Sequence, residues 1–173
     1  TSCISVSGNL KFDGIAAGRD LRLHQEYRAL FGIAQDECFM VCGSTHPGEH
    51  EELARLCQAW RSAGLRLRML IAPRHPERRE EVRALWRKAG VPLIDRSTLT
   101  PQAPAFLSAG APCFLLDTMG ELARVYHAAD IVFVGGSMIP HGGQNMAEPA
   151  GLECAVLFGP HTFNFRATVK ALL

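Results

Sequence analysis

Short apolar runs recur along the chain, and between them hydrophobic residues fall at helical spacing. Cys38 to Cys42, Leu67 to Ala72, Val91 to Ile94, Cys113 to Leu116, Ile131 to Val134 and Ala155 to Phe158 read as strands. Apolar residues on both faces of such a run fit a parallel strand covered on two sides. Leu21, His24, Tyr27 and Leu30-Phe31 make the first helical face, closed by Gly32. Leu53, Leu56, Cys57 and Trp60 make a second, which stops near Gly64. Val82, Leu85, Trp86 and Ala89 make a third, ending at Gly90, and Leu122, Val125, Tyr126 and Ala129 a fourth. Glycine after the last periodic residue suits a helix C-terminus. Strands alternating with helices predict an α/β fold: a parallel-sheet, Rossmann-like, three-layer domain.

Residues 3 to 13 alternate and turn at Gly8-Asn9, with a strand predicted through Ile4-Ser5-Val6. Residues 95 to 112, rich in Pro and Ala and with little period, predict an exposed, mobile connection. The chain opens on Thr1 without a methionine and stops inside an amphipathic pattern at Ala171-Leu172-Leu173. Both ends are therefore expected to be cuts, making this a piece of a larger protein.

The length of 173 residues suits one domain with a sizeable core, and 47% hydrophobic content suits a soluble globular class. A formal charge of +1 gives no electrostatic reason to expect nucleic acid. No run approaches the ~18 apolar residues of a membrane span, and no secretory signal opens the chain. Six cysteines without CxxC spacing read as buried thiols in a reducing compartment rather than as a zinc site.

In a parallel sheet, ligands sit beyond the carboxyl ends of the strands, near the point where strand order reverses. Four polar turns are expected to meet there: Ser44-Thr45-His46, Arg74-His75, Thr118-Met119-Gly120-Glu121 and the stretch from Gly135 to Glu148. The last holds Gly135-Gly136-Ser137 and Gly142-Gly143, then Asn145 and Glu148 spaced like an N-cap and its N3 carboxylate. Glycines allow close approach of the main chain to a ligand, and amides at a helix start donate to anions. The alternative is a tight strand-to-helix connection in which Glu148 closes a capping box on Asn145. Arg74 offers a bidentate fork to a phosphate or carboxylate, or pairs with Glu77 on the surface. Thr118 and Glu121 match a capping box, which makes Glu121 structural. Glu49, Glu51 and Glu52 crowd one helix start and would repel a phosphate, so the expected anion contacts are Gly136, Ser137 and Gly143. His141 and His161 are possible catalytic groups or simply solvated loop residues. The His46–His50 spacing encloses Pro47-Gly48 and has no third ligand beside it, so no metal is expected.

Several ordered segments together resemble one family, the 3-deoxy-D-manno-octulosonic acid (Kdo) transferases. They are Gly8 to Asp13, Gly43 to Glu49, Ala72 to Arg78, Asp117 to Leu122, Phe133 to Ser137 and Gly159 to Phe165, spanning nearly the whole chain. The departure lies at Gln144 and Met146-Ala147, where the family more often has His before Asn145 and Pro-Leu after it.

The resemblance implies the C-terminal, donor-binding half of a GT-B glycosyltransferase, with residues 1–15 as an interdomain segment and 16–173 as the CMP-sugar domain. It implies transfer of Kdo from CMP-Kdo to the lipid A precursor with inversion, at the cytoplasmic face of the inner membrane in Gram-negative bacteria. Acceptor surface, membrane association and the general base would lie in an N-terminal lobe, so no catalytic residue and no cofactor are expected here. The donor residues implied are Ser44, Thr45, Arg74, His75, Met119, Gly120, Gly135, Gly136, Ser137, Asn145 and Glu148. Gly136 and Ser137 would meet the phosphate, Glu148 the ribose, Arg74 and Met119-Gly120 the cytosine, and Ser44-Thr45 the sugar-phosphate. Alternatives are another GT-B sugar-nucleotide enzyme, such as a UDP-sugar transferase or epimerase, and a non-catalytic nucleotide-binding module.

Overall fold

A computed structural model describes residues 17–102 and 113–173. The strand expected at 4–6, the segment 1–15, and the stretch 103–112 of the expected connection lie outside them. Among the described residues six strands, β1 (Cys38–Thr45), β2 (Leu67–Pro73), β3 (Leu93–Asp95), β4 (Cys113–Leu115), β5 (Ile131–Val134) and β6 (Ala155–Leu157), form one sheet in the order β3-β4-β2-β1-β5-β6. Every pairing is parallel. Among the described residues six α-helices connect or flank them: α1 (Leu21–Leu30), α2 (His50–Ser62), α3 (Arg79–Lys88), α4 (Leu122–Tyr126), α5 (Ala147–Gly151) and α6 (Arg166–Leu172).

Alternation along the central strands splits the interior into two cores. Phe39 and Val41 of β1, Leu70 and Ala72 of β2 and Val132 and Val134 of β5 face Tyr27, Leu30 and Phe31 of the α1 segment and Val125 and Tyr126 of α4. Met40, Cys42, Met69, Ile71 and Phe133 point the other way, onto Leu53 and Cys57 of α2 and Val82 and Trp86 of α3. A period of two with both faces filled yields three layers, and a fully buried Trp86 alone removes enough apolar surface to contribute about 3 kcal/mol.

Several local expectations change. The strand read as ending at Cys42 continues to Thr45, and β2 includes Pro73, because the ladder carries on past a register shift between Gly43 and Thr45. α4 and α5 span five residues each, shorter than their apolar spacing suggests. Part of the connection after β3 is anchored: Leu99 is buried, Arg96 bonds the Glu121 carboxylate, and Ser97 bonds Asp117. The Thr118–Glu121 capping box does not form. Glu121 instead accepts from Thr118 Oγ1, Tyr27 Oη and Arg96. Burial pushes its carboxyl up, but these hydrogen bonds together hold it below the usual carboxylate range. Of the cysteines described, Cys38 is half-buried, Cys42, Cys57, Cys113 and Cys154 are buried, and all are free thiols.

Candidate functional site

The chain leaves β1 for β2 on one side and returns to β5 on the other, so strand order reverses between β1 and β5. Gly43 pairs with Val134 at that point, and Gly135 N–H donates to Gly43 O at 2.8 Å. The two strand ends touch so closely that a Cβ on Gly135 would lie 2.3 Å from Ser44 O. Ser44 sits at φ 53°, a left-handed conformation costing a non-glycine residue about 1–3 kcal/mol. Strain of that kind is kept where surrounding structure fixes the backbone, and here both neighbouring strands do so.

The amides beyond β5 have a partner that local sequence grammar does not reveal. Glu49, fully buried beside the start of α2, accepts from Gly136 N–H at 2.9 Å, Ser137 N–H at 3.1 Å and Met138 N–H at 3.1 Å. The same carboxylate accepts from His46 N–H at 2.9 Å. From sequence the Gly136 and Ser137 amides are expected to meet an external phosphate; in the structure they donate to Glu49. Ser137 is itself fully buried, its hydroxyl donating to Val134 O and accepting from Gly159 N–H. The acidic turn thus supplies an anion from within, pinning two loops together.

The rim above this clamp is rich in imidazole. His46 packs against His141 with ring centroids 4.1 Å apart, and against His75 edge-on at 5.9 Å. Gln144 Nε2 lies 3.3 Å from His46 Nε2. Burial, then the neighbouring His141, push the His46 imidazole below its ordinary value, and His75 and Arg74 act in the same direction against Glu49. From sequence, His46 belongs to one of the converging turns and His141 is a possible catalytic group or a solvated loop residue, and neither they nor Gln144 belong to the implied donor set. The glycine-rich loop marks their region, but only the contact between its two ends brings them together.

Beside the histidines, Ser44, Arg74, Thr118, Met119, Gly120 and Leu122 line a cleft of about 140 Å³. Arg74 is held by its amide, which donates to Thr45 O at 2.9 Å. Its guanidinium makes no ion pair among the described residues, and Glu77 instead pairs with His75 at 3.2 Å. Met119 is 79% exposed, an unusual state for a large apolar side chain, and Gly120 takes φ 71°. Thr45 turns away from this cleft. Its hydroxyl meets His50 Nε2 at 2.9 Å and lines a separate cavity of about 70 Å³ between α2 and α3.

Asn145 does not cap with Glu148. α5 begins at Ala147, and Asn145 Oδ1 accepts from Ala147 N–H at 3.2 Å. Glu148 is half-buried and makes no hydrogen bond or ion pair among the described residues. Burial, then the Glu148 charge, push the Tyr126 hydroxyl above its usual range, and that hydroxyl lies against Gly43. Ser44, Arg74, Met119 and Gly120 therefore share the cleft, Gly135 and Gly136 lie behind it at the β1–β5 contact, and His75 packs on His46 while lining the separate cavity with Thr45. Thr45 and Ser137 point inward. No cluster suited to a metal ion occurs among the described residues.

A parallel sheet with its polar loops gathered at the strand-order reversal defines a Rossmann-like α/β domain of the ligand-binding type. No family model matches the chain. It is 36% identical to a 3-deoxy-D-manno-octulosonic acid transferase of Haemophilus influenzae over 98% of its length and 38% of the relative's. It is 34% identical to the transferase of that name from Bordetella pertussis, over 96% of its length and again 38% of the relative's. Among solved structures it matches the C-terminal CMP-Kdo binding domain of WaaA from Acinetobacter baumannii, with a TM-score of 0.71 and 31% identity. That match covers 87% of this chain and 73% of the other. The chain belongs to the Kdo transferase family, and it spans about two fifths of the length of the curated relatives it matches.

Proposed function

We propose that this chain is the donor-binding domain of a Kdo transferase and grips the cytidylate of CMP-Kdo along the β1–β5 rim. The observation that carries the reading is the cleft in which Ser44, Arg74, Met119 and Gly120 meet beside the β1 end. Its support from outside is the likeness to a solved CMP-Kdo binding domain. The cleft beside Arg74 takes the cytosine, with exposed Met119 as an apolar face and the main chain at Gly120 as a polar edge. Glu148 accepts hydrogen bonds from ribose hydroxyls, a role open to a carboxylate whose lone pairs the described residues leave unused. With Gly136 and Ser137 committed to Glu49, the leaving phosphate is met at the rim by the Arg74 guanidinium rather than by those amides. Stabilising negative charge on that phosphate as it departs is the contribution such a domain makes to transfer. A single phosphate requires no bridging metal.

The activity of the whole protein belongs to the same proposal. It is inverting transfer of Kdo to the lipid A precursor, at the cytoplasmic face of the inner membrane, with the acceptor surface and general base in an N-terminal lobe of a GT-B enzyme. No helix among the described residues is long and apolar enough to cross a membrane. In this reading, membrane association falls to that lobe.

Titrating CMP into the chain should give saturable binding that Glu148→Ala weakens about tenfold, equivalent to ~1.4 kcal/mol. Equal affinity for the variant would remove Glu148 from the ribose. Preference for UMP over CMP would favour a UDP-sugar enzyme.

A further inference from the structure

We propose that Cys57 and Cys113 form a peroxide-sensitive dithiol, which oxidation closes into a disulfide joining α2 to β4. The pair lies in the core between the sheet and the α2–α3 layer, apart from the donor rim.

Sequence spacing hides the two residues from each other. Cys57 lies on the buried face of α2 and Cys113 opens β4, 56 positions later, and each reads by itself as a small buried hydrophobe. The fold brings their sulfurs to 3.1 Å, with Cys57 3% and Cys113 2% exposed. Met69, Ile71, Trp86 and Val91 belong to the same core and leave the pair little freedom to separate. A disulfide spans about 2.05 Å, so bond formation asks for about 1 Å of approach, divided between two side chains. No other pair of cysteine sulfurs is hydrogen-bonded among the described residues. Cys154, for comparison, turns its thiol to the carbonyls of Tyr126 and Ala129.

Hydrogen peroxide is the oxidant class that suits a buried pair, because it is small and uncharged and enters when the core opens locally. Whichever sulfur ionises, the other thiol is near enough to donate to the thiolate. That thiolate attacks one peroxide oxygen, the O–O bond breaks, and the hydroxide released takes up a proton and leaves as water. The sulfenic acid so formed already has the second sulfur beside it. The S–S bond forms, the S–O bond breaks, and a second water leaves with the remaining thiol proton. Across both steps the thiols lose two electrons, the peroxide gains them, and two waters form. Contact between the sulfurs makes capture of the sulfenic acid faster than its further oxidation, which needs a second peroxide to enter the core. The finished bond closes a loop that holds β2, α3 and β3, and so restricts the unfolded chain more than the folded one.

The test exposes the folded 173-residue chain to hydrogen peroxide, stops the reaction with catalase, alkylates in urea and maps the peptides without reductant. The expected product is a linked pair of peptides carrying Cys57 and Cys113, lighter by two hydrogens and separated again by dithiothreitol. It should accumulate ahead of any other cysteine pairing and be missing from Cys57→Ser and from Cys113→Ser. The linked chain should unfold in urea at a midpoint higher than that of the reduced chain by about 1 M or more. Methionine oxidation at Met119, 79% exposed, marks a sufficient dose. Recovery of both cysteines as alkylated thiols once Met119 is sulfoxide would overturn the proposal. Sulfinic acid at either position without a link, or links to other cysteines in their place, would overturn it equally. A link that leaves the urea midpoint unmoved would overturn its stabilising effect.

Discussion

Glu49 brings its carboxylate into the interior and meets four N–H groups there, with no cationic side chain bonded to it among the described residues. Buried amides left without an acceptor each cost about 1–3 kcal/mol. In Glu49→Gln one oxygen becomes a donor and faces N–H groups, so a loss of about 3 kcal/mol is expected, read as a lowered urea midpoint with an unchanged slope. A variant as stable as the parent would show that the clamp adds nothing. Glu49 also marks the limit of what residue-level reading delivers. Its position at a helix start and the donor character of the Gly136–Ser137 amides are both legible locally. Their pairing joins residues 87 and 88 positions apart and is decided by the strand order alone. His141 reads from sequence as a lone loop histidine and His46 as part of a converging turn, and only the strand order sets their rings side by side.

The connection between β1 and β5 depends on elements meeting backbone to backbone. Gly135→Ala would drive a Cβ into Ser44 O and the Thr45 Cα at 2.3 and 2.6 Å, and neither can rotate aside. A loss of about 2–3 kcal/mol is expected, together with weaker CMP binding, since the same shift moves Ser44 in the cleft. Gly64→Ala is the control: at φ 71° with nothing within 4 Å, it should cost only about 1 kcal/mol and leave binding unchanged. Equal losses in the two variants would contradict the close-contact account. The elements themselves were largely readable, because α1, α2 and α3 have long amphipathic faces and β1, β2 and β5 are apolar on both sides. Boundaries were not, where tertiary contacts override local signals. Leu99 and Arg96 pull a seemingly loose connection onto the core, and Glu121 gives its carboxylate to Arg96, Tyr27 and Thr118 instead of a capping box.

At the scale of the molecule, a parallel sheet packed on both faces forces every strand to end at one edge, and the reversal between β1 and β5 opens that edge. The two-sided burial makes the sheet rigid, and the loops inherit that rigidity through the Glu49 clamp and the Gly43–Gly135 contact. The central claim is that a cytidylate lies along this rim. Amide chemical-shift mapping during a CMP titration tests it most directly. The account predicts saturable shifts at Ser44, Arg74, Gly120 and Glu148, with the opposite edge around Arg61, Arg66 and Gly90 unmoved. Shifts confined to that opposite edge, or to the α2–α3 face, would contradict it.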